Sequence, residues 1–592
     1  MKKNSESWEW LLAFLFVAVA LLVRIPFMQA REAALLGDET IMGLMAKHIM
    51  EGQLPIYFYA QSYMGSFEAY VAAFFALGLG LNGWSAQMGA FFSYALFLVV
   101  HFFLIKRLWG LAASIFSTLL LVVPSVMVWE ISVRAFGGST EVLLFGALSF
   151  LLWIKVFSDK QKKWFFALGL SLGLGLWINP LFLIYLISLA VMTLYWRDGF
   201  RRRVRWLSPL RVFWLKDLKG PAWVKLILRA LHGFYLVYIT KQIVVFFTGP
   251  LEWKVLGFDF SRPPFQWKGI RKILNLMTAE GAVLTYLVQG QKGILLFFKH
   301  WLPLILGFMA GYFPAIFHAL SGAEGYRLLH AAGTIRGHDI LQKLKLIYLE
   351  LLPYRVFGVN TDIHTIALSE WLAGALVLLI FTGAFIFYFF HFRKDWAAFY
   401  NLKRGIQKEG FFFCLLALFT LLFNTLITLE ADRYLLPFYW VSAVVAGFLL
   451  SKIYSTAKYK WGAVAILLTL MGYYAAANTQ LVLTLPEPDD IRGLARVLEK
   501  ENIAGGTTDY ENAYRLSFYS RESLKFVPFP LQGINRIPSY NAYVENLKRK
   551  AFIFSQKEDE ERFLNQNPEF VPKEIKSFKH FVIYVVENAA LQ

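Results

Sequence analysis

Long runs of apolar residues, separated by short polar segments, dominate the chain up to about residue 485. Most are close to the roughly 20 residues that a helix needs to cross the apolar part of a bilayer. The runs lie near residues 9–27, 86–105, 110–128, 139–157, 164–178, 180–196, 300–320, 367–391, 411–429, 434–452 and 461–483. The pattern predicts a mainly α-helical, polytopic membrane protein with about 11–13 transmembrane helices.

The apolar run at residues 70–81 is too short to cross a bilayer and decides the topology. If it is re-entrant or interfacial, the basic clusters fall on the inner side, where Lys and Arg are enriched. These clusters lie at 106–107, 155–163, 197–211, 393–408 and 452–460. This orientation makes 28–85 one long outer loop, and it places the loops at 129–138 and 321–369 outside as well.

Residues 197–299 mix basic side chains with aromatic ones and form the segment whose topology is hardest to assign. The pattern favours a basic cytoplasmic segment that lies on the inner leaflet as amphipathic helices. An extra pair of spans near 234–247 and 282–298 is the alternative.

The tail at 486–592 changes in character, because charged residues become frequent. A helix is predicted at 489–501, and strands are predicted at 525–529, 551–555 and 580–586. About a hundred residues suffice for a small core. We therefore predict a membrane domain at 1–485 and a soluble extracytoplasmic α/β domain after it.

Composition narrows the class of protein. The chain is 57% hydrophobic and only 17% charged, and its net charge is +19. Because the basic residues lie largely in short loops between apolar runs, they indicate membrane orientation and not nucleic-acid binding. The single cysteine, Cys414, excludes a disulfide framework. No Asn-x-Ser/Thr sequon occurs, which favours a multi-pass protein of a bacterial or archaeal plasma membrane.

The first predicted outer loop contains the sequence Gly37-Asp38-Glu39-Thr40. Apolar residues then recur at spacings of three and four, which predicts a short helix with one apolar face. Asp38 and Glu39 lie at its start, where acidic side chains favour the helix dipole. A carboxylate pair at a membrane interface predicts a site. The residues alone leave open that Asp38 is only the N-cap of this helix.

Four short motifs carry a resemblance to known proteins: Gly37-Asp38-Glu39, Gly43-Leu44-Met45-Ala46, Tyr63-Met64-Gly65-Ser66 and Glu68-Ala69-Tyr70. They resemble the first outer loop of bacterial GT-C superfold glycosyltransferases related to family 39, the protein O-mannosyltransferase-like and ArnT-like group. The resemblance implies the GT-C fold and a polyprenyl-phosphate sugar donor, with a lipid, glycan or protein hydroxyl as acceptor. It also implies that Asp38 is the general base, and a single base in a direct displacement favours inversion.

Five further side chains of the outer loops are candidates for substrate binding: Glu39, Tyr63, Glu68, Arg134 and Glu141. Relatives of this kind use an acidic residue near Glu141 to bind a metal or the acceptor. The sequence has no Asp-x-Asp pair there, so a Mg²⁺ or Mn²⁺ ion is left open and none is assigned. Structural alternatives are a cap helper for Glu39, an interfacial aromatic for Tyr63, a solvated charge for Glu68, and an Arg134–Glu141 ion pair.

Cations for the phosphate of the donor occur further along the chain. Arg433 and Tyr434 begin an Arg-Tyr-Leu-x-Pro element that resembles one in the same superfamily. The outer loop at 321–369 adds further basic candidates: Arg327, His330, Arg336, His338, Arg355 and His364. The histidines lack metal-ligand spacing, so zinc is disfavoured.

Two other function classes compete with a glycosyltransferase. A transporter or flippase for a lipid-linked glycan needs ionisable groups or broken helices near the middle of the membrane. The predicted spans contain almost no charged residues, which argues for chemistry at one face. A binding module on a membrane anchor would not need so many spans.

Overall fold

The computed structural model describes residues 2–159, 161–195, 254–255, 258–259, 299, 301–321, 344–358, 368–400, 408–426, 432–485, 489–530 and 535–587. Most of the basic segment 197–299 lies outside these ranges, apart from a two-residue strand pair, β3 (Lys254–Val255) with β4 (Phe258–Asp259). Five of the basic candidates of the loop at 321–369 also lie outside the described residues: Arg327, His330, Arg336, His338 and His364.

The described chain is mostly helical up to residue 485. The helices are α1 (Lys2–Leu22), α2 (Ile25–Ala30), α3 (Gly37–Met50), α4 (Phe67–Leu79), α5 (Gly83–Trp109), α6 (Leu111–Val122), α7 (Val126–Ile131), α8 (Thr140–Asp159), α9 (Lys162–Ile178), α10 (Leu183–Tyr195), α11 (Leu302–Gly311), α12 (Phe313–Leu320), α13 (Leu368–His391), α14 (Arg393–Tyr400), α15 (Phe411–Leu426), α16 (Leu436–Tyr454) and α17 (Lys460–Thr484). Short 3₁₀ turns lie at Pro180–Phe182, Asp432–Leu435 and Ala457–Tyr459, and a π-helical segment lies at Leu346–Val356.

Six helical stretches in these ranges are long and apolar enough to cross a membrane, and the bent pair α11–α12, with 65° between its halves, would make a seventh. The chain is therefore a multi-pass membrane protein. Three other predicted runs form shorter apolar helices, at Leu111–Val122, Pro180–Thr193 and Phe411–Thr425. The total of 11–13 spans stays a prediction.

Helix α16 lies at the centre of the bundle and is buried along most of its length. Its Trp440 donates from Nε1 to Nδ1 of His101 over 2.9 Å, and the other ring nitrogen of His101 lies 3.0 Å from Ser117 Oγ. Gly447 lies against the backbone of Ser117, where a Cβ atom would overlap its neighbours. Small residues let helices approach closely where no water drives their association.

The loop that follows the first span is ordered by local structure. Helix α3 is the predicted short helix, and a hairpin of β1 (Tyr57–Phe58) and β2 (Gln61–Gly65) follows it. The short apolar run forms α4, whose 13 residues rise about 20 Å, less than the roughly 30 Å of a bilayer core.

The tail forms a five-stranded sheet in the order β6-β5-β7-β9-β8. Its strands are β5 (Gly505–Thr508), β6 (Lys525–Pro528), β7 (Arg549–Phe554), β8 (Glu574–Phe578) and β9 (Phe581–Glu587). Strand β5 pairs in parallel with β6 and β7, whereas β9 pairs antiparallel with β7 and β8. Its helices are α18 (Ile491–Lys500), α19 (Tyr510–Tyr519), α20 (Ser539–Glu545) and α21 (Lys557–Gln566). This confirms the small α/β unit of the predicted fold class.

Helix α19 of this sheet region packs directly on α3. Buried side chains of both helices share one apolar cluster, with Ile41 and Met45 from α3 and Tyr514 and Phe518 from α19. Gly43 faces the ring of Phe518, where a Cβ atom would overlap it. The sheet region and the loop after the first span therefore form one packed unit.

Candidate active site

Asp38 is the second residue of α3, and its side chain is 34% exposed. The N-cap is Leu36, and its backbone N–H donates to Glu39 Oε2 over 2.9 Å. The alternative that Asp38 is the N-cap is therefore wrong. Glu39 does the capping, so the Asp38 carboxylate is left for other partners.

The partners of Asp38 come from the far end of the chain. The Tyr510 hydroxyl donates to Asp38 Oδ1 over 2.5 Å, and Arg536 Nη2 lies 3.1 Å from the same oxygen. Arg536 Nε also donates to the Tyr510 oxygen over 2.8 Å, which closes a ring of three groups. Both contacts use Oδ1, so Oδ2 of Asp38 has no hydrogen-bond partner among the residues that the structure describes.

Arg536 is held on several sides and is only 6% exposed. With its amide oxygen turned towards Arg536, Gln61 accepts from Nη1 and Nη2 over 2.7 and 2.8 Å. The guanidinium also lies 5.4 Å from the centre of the Phe58 ring. Burial disfavours the charged form of Arg536, but the charge of Asp38 and the contact with the Tyr510 oxygen outweigh burial and raise the pKa of Arg536. Arg536 is therefore a permanent cation beside Asp38.

Glu511 anchors the start of α3 from the tail, since its carboxylate accepts the backbone N–H of Gly37. Partial burial raises the pKa of Glu511, although the Gly37 hydrogen bond acts against that shift. Burial likewise raises the pKa of Tyr510, and the neighbouring Asp38 carboxylate adds to the rise. Tyr510 therefore stays protonated and acts as a donor to Asp38.

Glu39, a predicted binding residue, lies between two arginines. It is fully buried, accepts a hydrogen bond from Arg31 and lies 3.6 Å from Arg134 Nε. Arg134 also stacks on Phe136, with 4.0 Å between its guanidinium carbon and the ring centre. Burial lowers the pKa of Arg134, and the charge of Glu39 opposes this. The partner of Arg134 is Glu39, so the alternative of an Arg134–Glu141 ion pair is wrong.

The other two predicted acidic residues are also buried. Glu68 accepts the backbone N–H of Gly137 over 3.1 Å, in a turn where Gly137 has a φ of +76°. Glu141 accepts from the hydroxyls of Ser93 and Thr140 over 3.2 and 3.3 Å. Glu68 is therefore not a solvated charge, and the role of both residues in substrate binding stays a prediction.

Tyr63, Arg433 and Tyr434 lie on the same side of the molecule as Asp38. The guanidinium of Arg433 lies 5.3 Å from the centre of the Tyr434 ring. Burial is the main cause that raises the pKa of Tyr63. Smaller electrostatic effects on this pKa come from Tyr434, Arg433, Arg536 and Asp38. Tyr63 is therefore within electrostatic reach of Tyr434, the two arginines and the Asp38 carboxylate.

Sequence reasoning missed Tyr510, Glu511 and Arg536. The run Asp509-Tyr510-Glu511-Asn512-Ala513-Tyr514-Arg515-Leu516 is a conspicuous part of the tail, but its chemistry alone points only to packing. Arg536 lies in a short segment with no motif. Only the docking of α19 on α3 connects these residues to Asp38.

Solved structures resemble the chain over most of its length. The archaeal oligosaccharyltransferase AglB from Archaeoglobus fulgidus, in complex with an inhibitory peptide and a dolichol-phosphate, matches with a TM-score of 0.50 and 14% identity, over 93% of this chain and 69% of that one. The chain has the GT-C fold. The polytopic fold with a small α/β unit is confirmed, whereas the relation to family 39 stays a prediction.

A second similar structure is ArnT from Cupriavidus metallidurans in the apo state, with a TM-score of 0.49, 13% identity and 98% coverage of each chain. ArnT bound to undecaprenyl phosphate aligns with a TM-score of 0.38 and 15% identity, over 97% of this chain and 98% of that one. No protein-family model and no curated protein matches the chain.

Proposed function

We propose that the chain is a membrane glycosyltransferase that moves a sugar from a polyprenyl-phosphate donor to an acceptor hydroxyl. The observation that carries the proposal is the position of the Asp38 carboxylate. Arg536 and Tyr510 both contact its Oδ1, which leaves Oδ2 for a substrate. The fold supports the class, because AglB has the same fold and was solved with a dolichol-phosphate.

In this proposal Asp38 acts as general base through Oδ2. It takes the proton of the acceptor hydroxyl while that oxygen attacks the anomeric carbon. The bond between the anomeric carbon and the phosphate oxygen breaks, and its electron pair leaves with the phosphate. Attack from the side opposite the phosphate inverts the configuration, and no covalent sugar–enzyme intermediate is needed.

Two cations are available for the charge that develops on the phosphate. Arg433 lies at the end of the span Arg433–Tyr454, where a lipid-borne phosphate would present itself. Arg536 is the second, and it is already fixed by Gln61 and Tyr510. Fixed cations stabilise developing negative charge without having to reorganise at the moment of reaction.

We place this site on the extracytoplasmic face. Helix α5 begins beside Glu32, in the loop that carries Asp38, and ends at Lys106 and Arg107. Basic residues therefore lie at the opposite end of this span from the site, as expected for a cytoplasmic end.

Sugar transfer in reconstituted membranes tests the proposal. A panel of polyprenyl-phosphate sugars is offered to the wild type, to Asp38→Asn and to a control variant, Asp159→Asn. Asp159 is an exposed residue at the C-terminal end of α8. We expect transfer by the wild type and the control, and a loss of about a hundredfold or more in Asp38→Asn, the usual share of a general base.

An Asp38→Asn variant that transfers as fast as the wild type would refute the assigned base. If the wild type transfers no sugar of the panel but moves lipid-linked glycans across the membrane, the transporter class is correct and the proposal fails.

A further inference from the structure

Arg536 also lines a polar cavity of about 540 Å³ between the C-terminal end of α3 and the sheet region. Lys47 and His48 line it from α3 and Tyr59 from the hairpin, while Arg521, Lys525 and Tyr540 line it from the tail. The volume is in the range of small-molecule sites, and the rings of Tyr59 and Tyr540 beside charged groups offer a ligand both apolar faces and hydrogen-bond partners. A single side chain, Arg536, thus contacts both this cavity and Asp38.

The acidic groups of the cavity already have partners. Glu522 accepts from Lys47 and Tyr540, each over 2.5 Å, and lies 3.1 Å from His48 Nε2. Burial opposes its ionisation, but these hydrogen bonds outweigh burial and lower the pKa of Glu522 to about 2. Glu522 is therefore a fixed carboxylate in the wall.

His48, Glu51 and Glu522 have the ligand atoms of a metal site within 4.8 Å of one another. Lys47 Nζ, however, lies 2.5 Å from both Glu51 and Glu522 and already supplies their cation. The cluster therefore carries no metal assignment.

Two cations of the wall are left without a carboxylate. Within the described ranges Arg521 and Lys525 form no ion pair, and Lys525 Nζ lies 4.9 Å from the centre of the Tyr543 ring. The wall has four cations, Lys47, Arg521, Lys525 and Arg536, against the two carboxylates of Glu51 and Glu522. The excess is therefore two positive charges, although Arg536 is also paired with Asp38. A ligand that carries an anionic group would form ion pairs with these cations and balance their charge.

We propose that this cavity binds a carbohydrate that bears an anionic group, and that Arg536 couples its occupancy to Asp38. An anion in the cavity competes with Asp38 for the guanidinium. When Arg536 turns towards the ligand, the Asp38 carboxylate keeps its hydrogen bond from Tyr510 but loses its cation partner. The consequence for catalysis rests on the proposed function, whereas the binding site itself does not.

Binding is measured by calorimetry on the full chain in detergent micelles, with glucose 6-phosphate, glucuronic acid, glucose and inorganic phosphate as probes. We expect both anionic sugars to bind at least tenfold more tightly than glucose and than phosphate alone. Equal binding of glucose would overturn the anionic class, and equal binding of phosphate would overturn the carbohydrate. No binding of either anionic sugar would overturn the site.

Variants locate the site. Arg521→Gln with Lys525→Gln is expected to weaken the anionic sugars at least tenfold, and Lys557→Gln, an exposed control on α21, is expected to change nothing. Should the double variant fail to fold, Arg521→Gln alone replaces it, because that side chain is exposed. Unchanged affinity in a folded variant would overturn the site.

The coupling has its own test, which is independent of transfer. In Asp38→Asn, Arg536 is no longer shared, so the anionic sugars should bind about three- to tenfold more tightly, because coupling between two sites is reciprocal. Unchanged or weaker affinity would overturn the coupling. No sugar is transferred in this binding assay. The coupling can therefore be refuted while the proposed transferase function stands, and the reverse also holds.

Discussion

Glu39 shows how one buried charge supports the site. It lies between Arg31 and Arg134 and also caps α3, directly beside Asp38. Removing one partner of a buried ion pair leaves uncompensated charge and costs about 3–5 kcal/mol. We therefore expect Glu39→Gln to lower the free energy of unfolding by an amount of this order, measured by denaturant unfolding in detergent.

Glu32 provides the matched control for this prediction. It pairs with Arg492, whose side chain is 45% exposed, at 2.5 Å. Exposed ion pairs contribute about 1 kcal/mol or less, so Glu32→Gln should lower the unfolding free energy by less than that. Equal losses in both variants would contradict the role of Glu39 as a buried counter-ion.

At this scale the sequence points to only half of the candidate site. Asp38 and Glu39 could be predicted, because a carboxylate pair at a helix start after a span is a local pattern. Arg536 and Tyr510 could not, since 498 and 472 residues separate them from Asp38. Their contacts depend on how the tail packs on α3, and the residues next to them in the sequence do not indicate that packing.

At the scale of elements, the contact between α3 and α19 decides whether the site is assembled. Gly43 of α3 lies against the Phe518 ring, where a Cβ atom would overlap it. Gly43→Ala should therefore push the helices apart and lower the unfolding free energy by about 1–3 kcal/mol, the usual effect of overpacking. Thermal unfolding of the purified chain measures this.

Gly472→Ala is the control for the substitution in α3. A Cβ atom at Gly472 meets nothing within 4 Å in α17, so the variant should be neutral or stabilised by up to about 1 kcal/mol through helix propensity. If Gly43→Ala were equally well tolerated, the close packing of α3 on α19 would be wrong.

The strands show where local patterns suffice. The predicted strands at 525–529, 551–555 and 580–586 correspond to β6, β7 and β9. Strand β5 was missed because its Gly505-Gly506-Thr507-Thr508 sequence has no apolar alternation. It needs glycine, since Gly506 lies against the backbone of Ala551. Strand β8 is an edge strand, and only its partner β9 reveals it.

At the scale of the whole molecule, Glu522 joins the tail to α3 through Lys47 and His48. Because its pKa is lowered to about 2 in the folded chain, its stabilising effect is full above the unfolded value of about 4.3. The effect disappears as the pH falls from about 5 towards 2. The unfolding midpoint of the wild type should exceed that of Glu522→Gln at neutral pH, and the difference should shrink below pH 5.

Glu558→Gln, at the start of α21 in the tail, controls for a change of net charge. Its midpoint should follow that of the wild type at each pH. A constant difference between wild type and Glu522→Gln from pH 7 to pH 3 would show that Glu522 does not stabilise the docked tail through its charge.

The distance along the chain between Asp38 and its partners has a consequence for biosynthesis. Ribosomes add about 5–20 residues per second, so the 472 residues between Asp38 and Tyr510 take roughly half a minute to a minute and a half to make. During that time Asp38 lacks the two partners, Tyr510 and Arg536, that hold its carboxylate in the folded chain. The contacts around Asp38 can therefore form only after the tail that carries Tyr510 and Arg536 has been made.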